Sequence, residues 1–379
     1  MPHLTPSIFL RSLPVILITQ GIEPPIAELY LSLPRTDIPA RTTRGRKIAR
    51  FFGASLCYLV ILIVAGWSTL AIYFDFNFPR LRIFAAITYL VVVAGTLAFF
   101  KRPRRSLLAS LICCAIVIAW WLTLKPSNNE HWQADVSQTP YAEIHGNQVI
   151  IHNFRSCDYR TELDYTCQWL TKQVDVSQIR GIDLFMNYWG SPYIAHTIVS
   201  FDLGNGDHIA FSIEARKKIG LTYSAIRGFF RQYTLIEVIS DERDLVRLRT
   251  NYRHGEDLYL YHTRATPEFA HSLFLDYLGF ANQLHDHPQW YNAVTRNCTT
   301  EIFTFKAMRT RPLDWRILFN GKADEMLYEQ KELAGDLPFK ELKQRAWINS
   351  AAKAADKDPD FSTRIRENRP DFSVTLSKF

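Results

Sequence analysis

The sequence lacks most of the short motifs that mark an enzyme class. It contains no HExxH or CxxC motif and no carboxylate-rich loop. His285 and His287 are its one closely spaced histidine pair, and a single such pair does not indicate a metal site. A GxSxG turn, a phosphate-binding P-loop and a dinucleotide fingerprint are also missing. These absences narrow the enzyme classes to thiol chemistry, without a metal or another cofactor.

Charged side chains are missing from three long apolar stretches. Residues 54–74, 83–100 and 106–124 contain none, and each is close to the roughly 20 residues that cross a ~30 Å hydrocarbon core. The mean hydropathy of −0.09 conceals this, because charged residues are concentrated after residue 125. The sequence therefore predicts three transmembrane helices within residues 51–124.

Positive charge is placed beside these stretches. The net charge is +7, and basic clusters at residues 41–47 and 101–105 flank the apolar spans, whereas the loop at residues 75–82 carries little charge. Because short cytoplasmic loops collect Lys and Arg, residues 1–50 are expected to be a cytoplasmic leader and residues 125–379 a periplasmic domain. This charge indicates a multi-pass protein of a bacterial inner membrane rather than nucleic-acid binding.

After a polar linker at residues 125–140, the domain alternates between strand and helix patterns. Gly204–Asp207 is a strong hairpin signal, because Gly and Asn tolerate positive φ. Helices are predicted at residues 242–252 and 266–284, and residues 361–366 are a candidate docking element at the C-terminus. Strands are predicted at residues 148–154 (QVIIHNF, within the stretch 143–155), 182–188, 194–203, 208–214, 234–239 and 257–262. The pattern predicts an α+β domain with a central antiparallel sheet and packed helices.

Three cysteines lie outside the apolar spans. Cys157 and Cys167 could form a disulfide in an oxidising compartment, unless geometry forbids it. That pairing would leave Cys298 as a free thiol at the first turn of a predicted helix, where N–H groups and the helix dipole lower a thiol pKa. Cys298 is therefore either a nucleophile or a buried small hydrophobe.

A thiol nucleophile needs an imidazole within reach, held by a third group. His196 stands in an otherwise apolar strand, so its ring should have a partner. His208 opens the next strand and Glu214 lies near its end, and either could orient His196. A backbone carbonyl is the third alternative.

Three long stretches resemble a bacterial family. Residues 188–220 (YWGSPYIAHTIVSFDLGNGDHIAFSIEARKKIG), 223–253 (YSAIRGFFRQYTLIEVISDERDLVRLRTNYR) and 290–300 (WYNAVTRNCTT) resemble the N-terminal periplasmic domain of the lipoprotein N-acyltransferase Lnb. The resemblance runs from about residue 130 to 370. It implies a permuted papain-like (NlpC-type) fold, in which histidine precedes cysteine in the chain.

The resemblance also assigns roles to residues. Asn297 and Cys298 look like the Asn-Cys step that opens a helix in this superfamily, and His196 and His208 look like its two strand histidines. Cys298 would then attack an acyl ester, His196 would take the thiol proton and His208 would orient His196. Glu214 and Arg216 also resemble family motif residues, either as a structural ion pair or, together with Asn297, as substrate-binding or oxyanion candidates. Three further arginines, Arg243, Arg249 and Arg253, could bind a phosphate head group or lie on the surface.

The resemblance implies acyl transfer at the outer leaflet. A phospholipid or a lipoprotein ester would donate a chain to Cys298, and an amine such as a lipoprotein N-terminus would receive it. Tethering to the membrane keeps the site beside its insoluble donor. The alternatives are a cysteine hydrolase of the envelope, acting on a peptide amide or a lipid ester, and a non-catalytic binding protein.

Overall fold

The computed structural model describes residues 41–204, 206–302, 304–308, 314, 316, 320–369 and 372. The chain divides into two compact units, Met1–Tyr58 and Leu59–Phe379. Most of the expected leader lies outside the described residues, and residues 41–50 already belong to the first helix.

Three helices precede the domain: α1 (Arg41–Asp75), α2 (Arg82–Phe99) and α3 (Pro103–Thr123). Each is long and apolar enough to cross a membrane, as the sequence predicts. Large apolar side chains such as Ile116 point outward, whereas the Thr96 and Ser110 hydroxyls hydrogen-bond to each other at 2.8 Å between α2 and α3. Lipid-facing apolar residues and internally satisfied polar groups are what a bilayer requires.

The domain is built on one mixed sheet, which contains eight strands among the described residues. The strands are β1 (Tyr141–His145), β2 (Gln148–Tyr159), β3 (Tyr165–Asp175), β4 (Gly181–Trp189), β5 (Ala195–Asp202), β6 (His208–Arg216), β7 (Thr234–Ser240) and β8 (Glu256–His262). Their order is β1-β2-β7-β6-β5-β4-β8, with β3 on the other side of β2. All pairs are antiparallel except β2–β7, which pair in parallel at Arg155 and Ser240. The α+β class is confirmed, and the permuted papain-like arrangement stays a prediction.

Helices cover both faces of the sheet. They are α4 (Glu242–Arg247), α5 (Pro267–Asp286), α6 (Cys298–Ile302), α7 (Ala323–Glu329), α8 (Phe339–Ala346), α9 (Asn349–Ala354) and α10 (Phe361–Arg364). The long helix α5 packs Phe274 against Phe201 and Phe211 on one face. On the other face Leu245 of α4 and Phe361 of α10 cover Ile198. Alternate residues of the inner strands therefore enter two separate cores.

The predicted linker is docked on the domain. Trp132 and Val136 are buried, and residues 134–136 form a short 3-10 helix. Arg216 donates to the carbonyl oxygens of Val136 and Ser137 and stacks on the Trp132 ring. The segment was predicted as a linker because its composition is polar, but it packs on the domain, where the buried Arg216 holds it in place.

The β6–β7 connection contacts the ends of the membrane helices. The Gln232 amide donates to the Phe74 carbonyl at 2.8 Å and to the Asp75 carboxylate at 2.7 Å. Trp121 of α3 donates to the same carboxylate, and Phe230 stacks on Phe74 with ring centroids 4.9 Å apart. The membrane-facing end of the sheet is therefore the end where β6 stops and β7 starts.

The Cys157–Cys167 disulfide is formed. The two residues face each other in the β2–β3 hairpin, with Cα atoms 4.0 Å apart. The sequence placed one strand before this segment but did not predict β3. Pairing of β2 with β3 brings the two thiols together.

Candidate active site

Cys298 is the first residue of α6, and the preceding asparagine caps that helix. The Asn297 side-chain oxygen accepts the backbone N–H groups of Thr299 and Thr300 at 2.9 and 3.1 Å. Its side-chain nitrogen donates to the Ala293 carbonyl at 3.0 Å. Asn297, expected as a substrate or oxyanion group, thus has its side chain engaged as the N-cap.

The Cys298 sulfur lies against strand β5. The backbone N–H of Thr197 is directed at it, the Thr299 hydroxyl is 3.8 Å away and the Asn320 amide nitrogen is 4.0 Å away. Asn320 also donates to the Thr299 hydroxyl at 2.8 Å and accepts from the Ala195 N–H at 2.9 Å. Asn320, which the sequence gave no reason to choose, joins the start of β5 to the cysteine helix.

Burial raises the pKa of the Cys298 thiol above its ordinary value. The negative charge of Glu214 adds to the rise, while hydrogen bonds from Thr299 and from the Thr197 N–H oppose it. The expectation of a pKa lowered by the helix start is wrong for this state of the protein. The helix has only five residues, so its dipole is small compared with the cost of desolvating a thiolate.

His196 belongs to a chain of polar contacts between β5 and β6. The Ser212 hydroxyl donates to Glu214 at 2.9 Å and lies 2.7 Å from Nε2 of His196, and Arg249 donates to the same Glu214 oxygen at 2.6 Å. Because the hydroxyl proton points to Glu214, the Ser212 oxygen accepts from Nε2–H, and Nδ1 is the ring nitrogen with a free lone pair. Of the alternatives for the third group, Glu214 is thus the one linked to His196, through Ser212.

The charges around His196 favour the neutral ring. Burial and then the positive charge of Arg249 lower the pKa of His196 to about 3, against the opposing effect of Glu214. Burial disfavours an ionised Glu214, but Arg249 together with smaller contributions from Arg155 and Arg253 outweighs it and holds the pKa of that carboxyl well below its usual range. Arg249 was one of the candidates for binding a phosphate head group. In the structure its guanidinium is paired with the Glu214 carboxylate.

An opening between two strands brings the histidine and the cysteine to one place. The β5–β6 ladder ends at Val199 and Phe211, although β5 begins at Ala195 and β6 continues to Arg216. His196 lies in this opening, and α6 packs against both strands there. The backbone N–H that points at the Cys298 sulfur belongs to Thr197, the residue after His196. Among the described residues no hydrogen bond joins Cys298 to His196, so their pairing stays a prediction.

His208 lies too far away to orient His196, contrary to the expectation. It pairs with Asp202, six residues after His196 along β5, which corresponds to roughly 20 Å. Its Nδ1 is 3.1 Å from the Gly206 carbonyl, and its Nε2 is 3.8 Å from Asp183. The hairpin register places the two histidines at opposite ends of β5.

His208 instead belongs to a buried ion cluster. Ligand-type atoms of Asp183, His208 and Glu242 lie within 4.8 Å of one another, which is metal-like spacing. Arg366 from the C-terminal segment donates to both carboxylates at 2.6 Å. An arginine thus supplies the positive charge at this cluster, and the chemistry fits an ion-pair network that docks residues 361–366.

Arg216 also takes a structural role. Its guanidinium binds the docked linker, while Glu214 pairs with Arg249, so the expected Glu214–Arg216 pair is not formed. Ser212 was not identified from the sequence, although it is separated from Glu214 by one residue and so shares a face of β6 with it. That spacing was the available signal for the contact with His196.

An apolar cavity of about 120 Å³ lies beside the cysteine helix. Thr197 and Thr299, which flank the sulfur, also line this cavity. The remaining lining is apolar apart from Thr263 and Glu332, and includes Leu184, Met186, Val199, Phe269, Leu273 and Leu327. The space next to the thiol therefore suits hydrocarbon, and its size approaches that of a cavity that holds benzene, ~150 Å³.

Fold and site together define a membrane-anchored α+β protein with a partly buried cysteine at a helix start beside a histidine-bearing strand. Residues 165–321 match the family model of the Lnb N-terminal periplasmic domain, a segment that contains β3–β8, His196 and Cys298. The match confirms the resemblance seen in the sequence for this segment, which covers less than half of the 379 residues. The chain is thus a membrane protein with a periplasmic-type envelope domain. Comparisons with curated proteins and with solved structures gave no match.

Proposed function

We propose that the protein is a membrane-anchored cysteine acyltransferase of the cell envelope, with Cys298 as nucleophile. The observation that carries this proposal is the apolar cavity whose lining includes Thr197 and Thr299, the two residues that also contact the Cys298 sulfur. An apolar cavity of this size accepts a short stretch of an acyl chain and offers little to a polar peptide. The domain is also held against helices able to cross a membrane, where phospholipid and lipoprotein donors are concentrated.

In the proposed reaction the sulfur attacks the carbonyl carbon of an acyl ester. Nδ1 of His196 accepts the thiol proton as the C–S bond forms and gives it to the leaving alcohol as the C–O bond breaks. The N–H groups of Cys298 and Thr197 and the Asn320 amide are the donors placed to stabilise the oxyanion. An amine such as a lipoprotein N-terminus then attacks the thioester, which forms an amide and restores the thiol.

Intact-protein mass spectrometry tests the nucleophile. The full-length protein in phospholipid nanodiscs, given a diacylated lipopeptide, is expected to gain the mass of one acyl chain through a hydroxylamine-sensitive bond on Cys298. Cys298→Ala should remove the adduct, while Cys113→Ala, which changes a cysteine of α3, should keep it. A folded wild-type protein that never carries the adduct would leave only the non-catalytic binding role.

The same incubation separates transfer from hydrolysis. An N-acylated lipopeptide is the product of the transferase, whereas free fatty acid without N-acylation indicates the hydrolase alternative. Filling the cavity with Ala265→Phe should slow acylation by long-chain donors and leave the reaction with a short acetyl ester unchanged, since only the long chain needs the cavity. Equal slowing of acylation with both donors would show that the cavity does not bind the acyl chain.

A further inference from the structure

The loop between β6 and β7 exposes large apolar side chains. Ile219, Tyr223, Ile226 and Phe229 are exposed by 70, 46, 60 and 46 %. We call these four residues the apolar patch. Large exposed apolar patches, especially those rimmed by polar residues, mark sites of interaction with proteins or membranes.

The apolar patch is continuous with residues held at the ends of the membrane helices. Phe230, directly after Phe229, stacks on Phe74 and on Trp67 of α1. Arg231 donates to the Leu124 carbonyl at the end of α3 and stacks over Trp121 at 4.0 Å. Because these helices end at Asp75 and Thr123, the loop lies where the hydrocarbon core gives way to head groups.

The charge of the loop also fits a lipid surface. From residue 215 to residue 236 the chain has no acidic residue and five basic ones: Arg216, Lys217, Lys218, Arg227 and Arg231. Arg216 is buried on the linker, so the basic residues near the surface are the other four. Tyrosine, apolar side chains and Lys or Arg together are typical of segments that lie in a membrane interface.

We infer that the apolar patch inserts into the head-group region of the same bilayer that the three helices span. This second contact would hold the domain at a defined angle to the membrane. The Ala293 N–H donates to the Gly228 carbonyl at 3.0 Å, and the neighbouring Val294 is half exposed. The segment that leads into Cys298 is thereby tied to the inserted loop.

The insertion places the candidate site near the lipid surface. Glu214 pairs with Ile236, four residues after Gln232, which is bonded to the end of α1. Four residues span at most about 14 Å. The opening that contains His196 therefore faces the membrane end of the sheet, whatever reaction Cys298 performs.

Site-specific photocross-linking tests the insertion. The full-length protein carries benzoylphenylalanine at position 226 or 229 in nanodiscs of defined phospholipids, and irradiated protein is analysed by intact mass. A phospholipid adduct is expected at both positions, as it is at Ile116, an exposed residue of α3 that serves as positive control. The readout does not involve Cys298, so it can fail or succeed independently of the acyltransfer experiment.

Leu163 is the matched negative control. It is 90 % exposed at the tip of the β2–β3 hairpin, and the parallel pairing of β2 with β7 places that tip roughly 40 Å from Thr234. No lipid adduct is expected there. Lipid adducts at Ile116 without any at 226 and 229, equal adducts at 163, or protein adducts in place of lipid at 226 and 229 would each overturn the inference. A thermal melt of each labelled protein confirms that it is folded.

Discussion

Cys298 and His196 are both partly buried beside the opening between β5 and β6, and the loss of water around them moves their pKa values in opposite directions. The pKa of the thiol is raised and that of the imidazole is lowered. Near neutral pH both groups are therefore uncharged, so a preformed thiolate–imidazolium pair is not the resting state. Attack by sulfur and proton transfer to Nδ1 are expected to occur together.

The raised pKa of the Cys298 thiol predicts how its rate of alkylation depends on pH. Since only the thiolate reacts and its pKa is raised, the rate with iodoacetamide should climb about tenfold per pH unit through the neutral range, with a midpoint above the ordinary thiol pKa of ~8.5. Peptide mass spectrometry, which separates Cys298 from the membrane cysteines, measures it. A plateau of reactivity below pH 7 would instead indicate an ion pair with His196.

In the proposed reaction Ser212 is a positioning residue, because it contacts His196 rather than substrate. Ser212→Ala removes the hydroxyl that links the ring to Glu214, and acylation of Cys298 should slow by about 10-fold or more, as for other groups that orient a catalytic residue. The pH dependence of the acylation rate should change as well, since Nε2–H loses its acceptor.

Ser200→Ala is the matched control for Ser212→Ala. Ser200 is also a buried serine that donates to a glutamate, Glu242, but it lies in the ion cluster at the other end of β5. Both variants should lose similar stability in a thermal melt. Equal slowing of acylation by the two would show a structural effect and no positioning role for Ser212.

At the scale of elements, the C-terminal segment closes the far end of the sheet. Phe361 is buried against the core under α4, and Arg366 reaches Asp183 of β4 and Glu242 of α4. Burial disfavours both ionised carboxyl groups, but Arg366, helped by the hydrogen bonds of His262 to Asp183 and of Ser200 to Glu242, outweighs it and lowers the pKa of each. The predicted docking role of residues 361–366 is thus confirmed.

Removing that arginine should destabilise the domain strongly. Arg366→Ala leaves two buried carboxylates without their main partner and should cost about 3–5 kcal/mol in denaturant unfolding at neutral pH. The lowered carboxyl pKa values contribute stability above the unfolded pKa of ~4, and this contribution is lost as pH falls. The difference between variant and wild type should therefore shrink at acidic pH.

Arg364→Ala is the control for the Arg366 variant. Arg364 is half exposed and pairs with Glu367 and Asp358 at the surface, where ion pairs contribute little. It should unfold like the wild type. An Arg366 variant that matched it would mean that apolar packing of Phe361 alone holds the segment.

At the scale of the whole molecule, three helices and the β6–β7 loop attach the domain to its membrane. The basic clusters predict that the N-terminus and the α2–α3 loop are cytoplasmic. Fusion of alkaline phosphatase, which is active only outside the cytoplasm, should therefore give activity at the C-terminus and none when inserted at residues 101–105. The reverse pattern would invert the topology and remove the periplasmic site.

The sequence by itself determined the features that depend on local patterns. Three uncharged stretches specified the spans, and alternating residues with the Gly204–Asp207 turn specified β4 to β8 closely. A Thr-Pro start and helical spacing did the same for α5. Each of these signals is set by residues that are neighbours in the chain, so no knowledge of the fold was needed.

The groups that the site residues contact were decided only by the tertiary structure. Strand register sent His208 to a distant ion cluster and brought Ser212 to His196, and close packing around the five-residue helix raised the Cys298 pKa instead of lowering it. These outcomes depend on contacts between residues far apart in the chain and on the exclusion of water around them. A one-residue difference in register would change every such contact, which is why composition and spacing could nominate Cys298 and His196 but could not supply their surroundings.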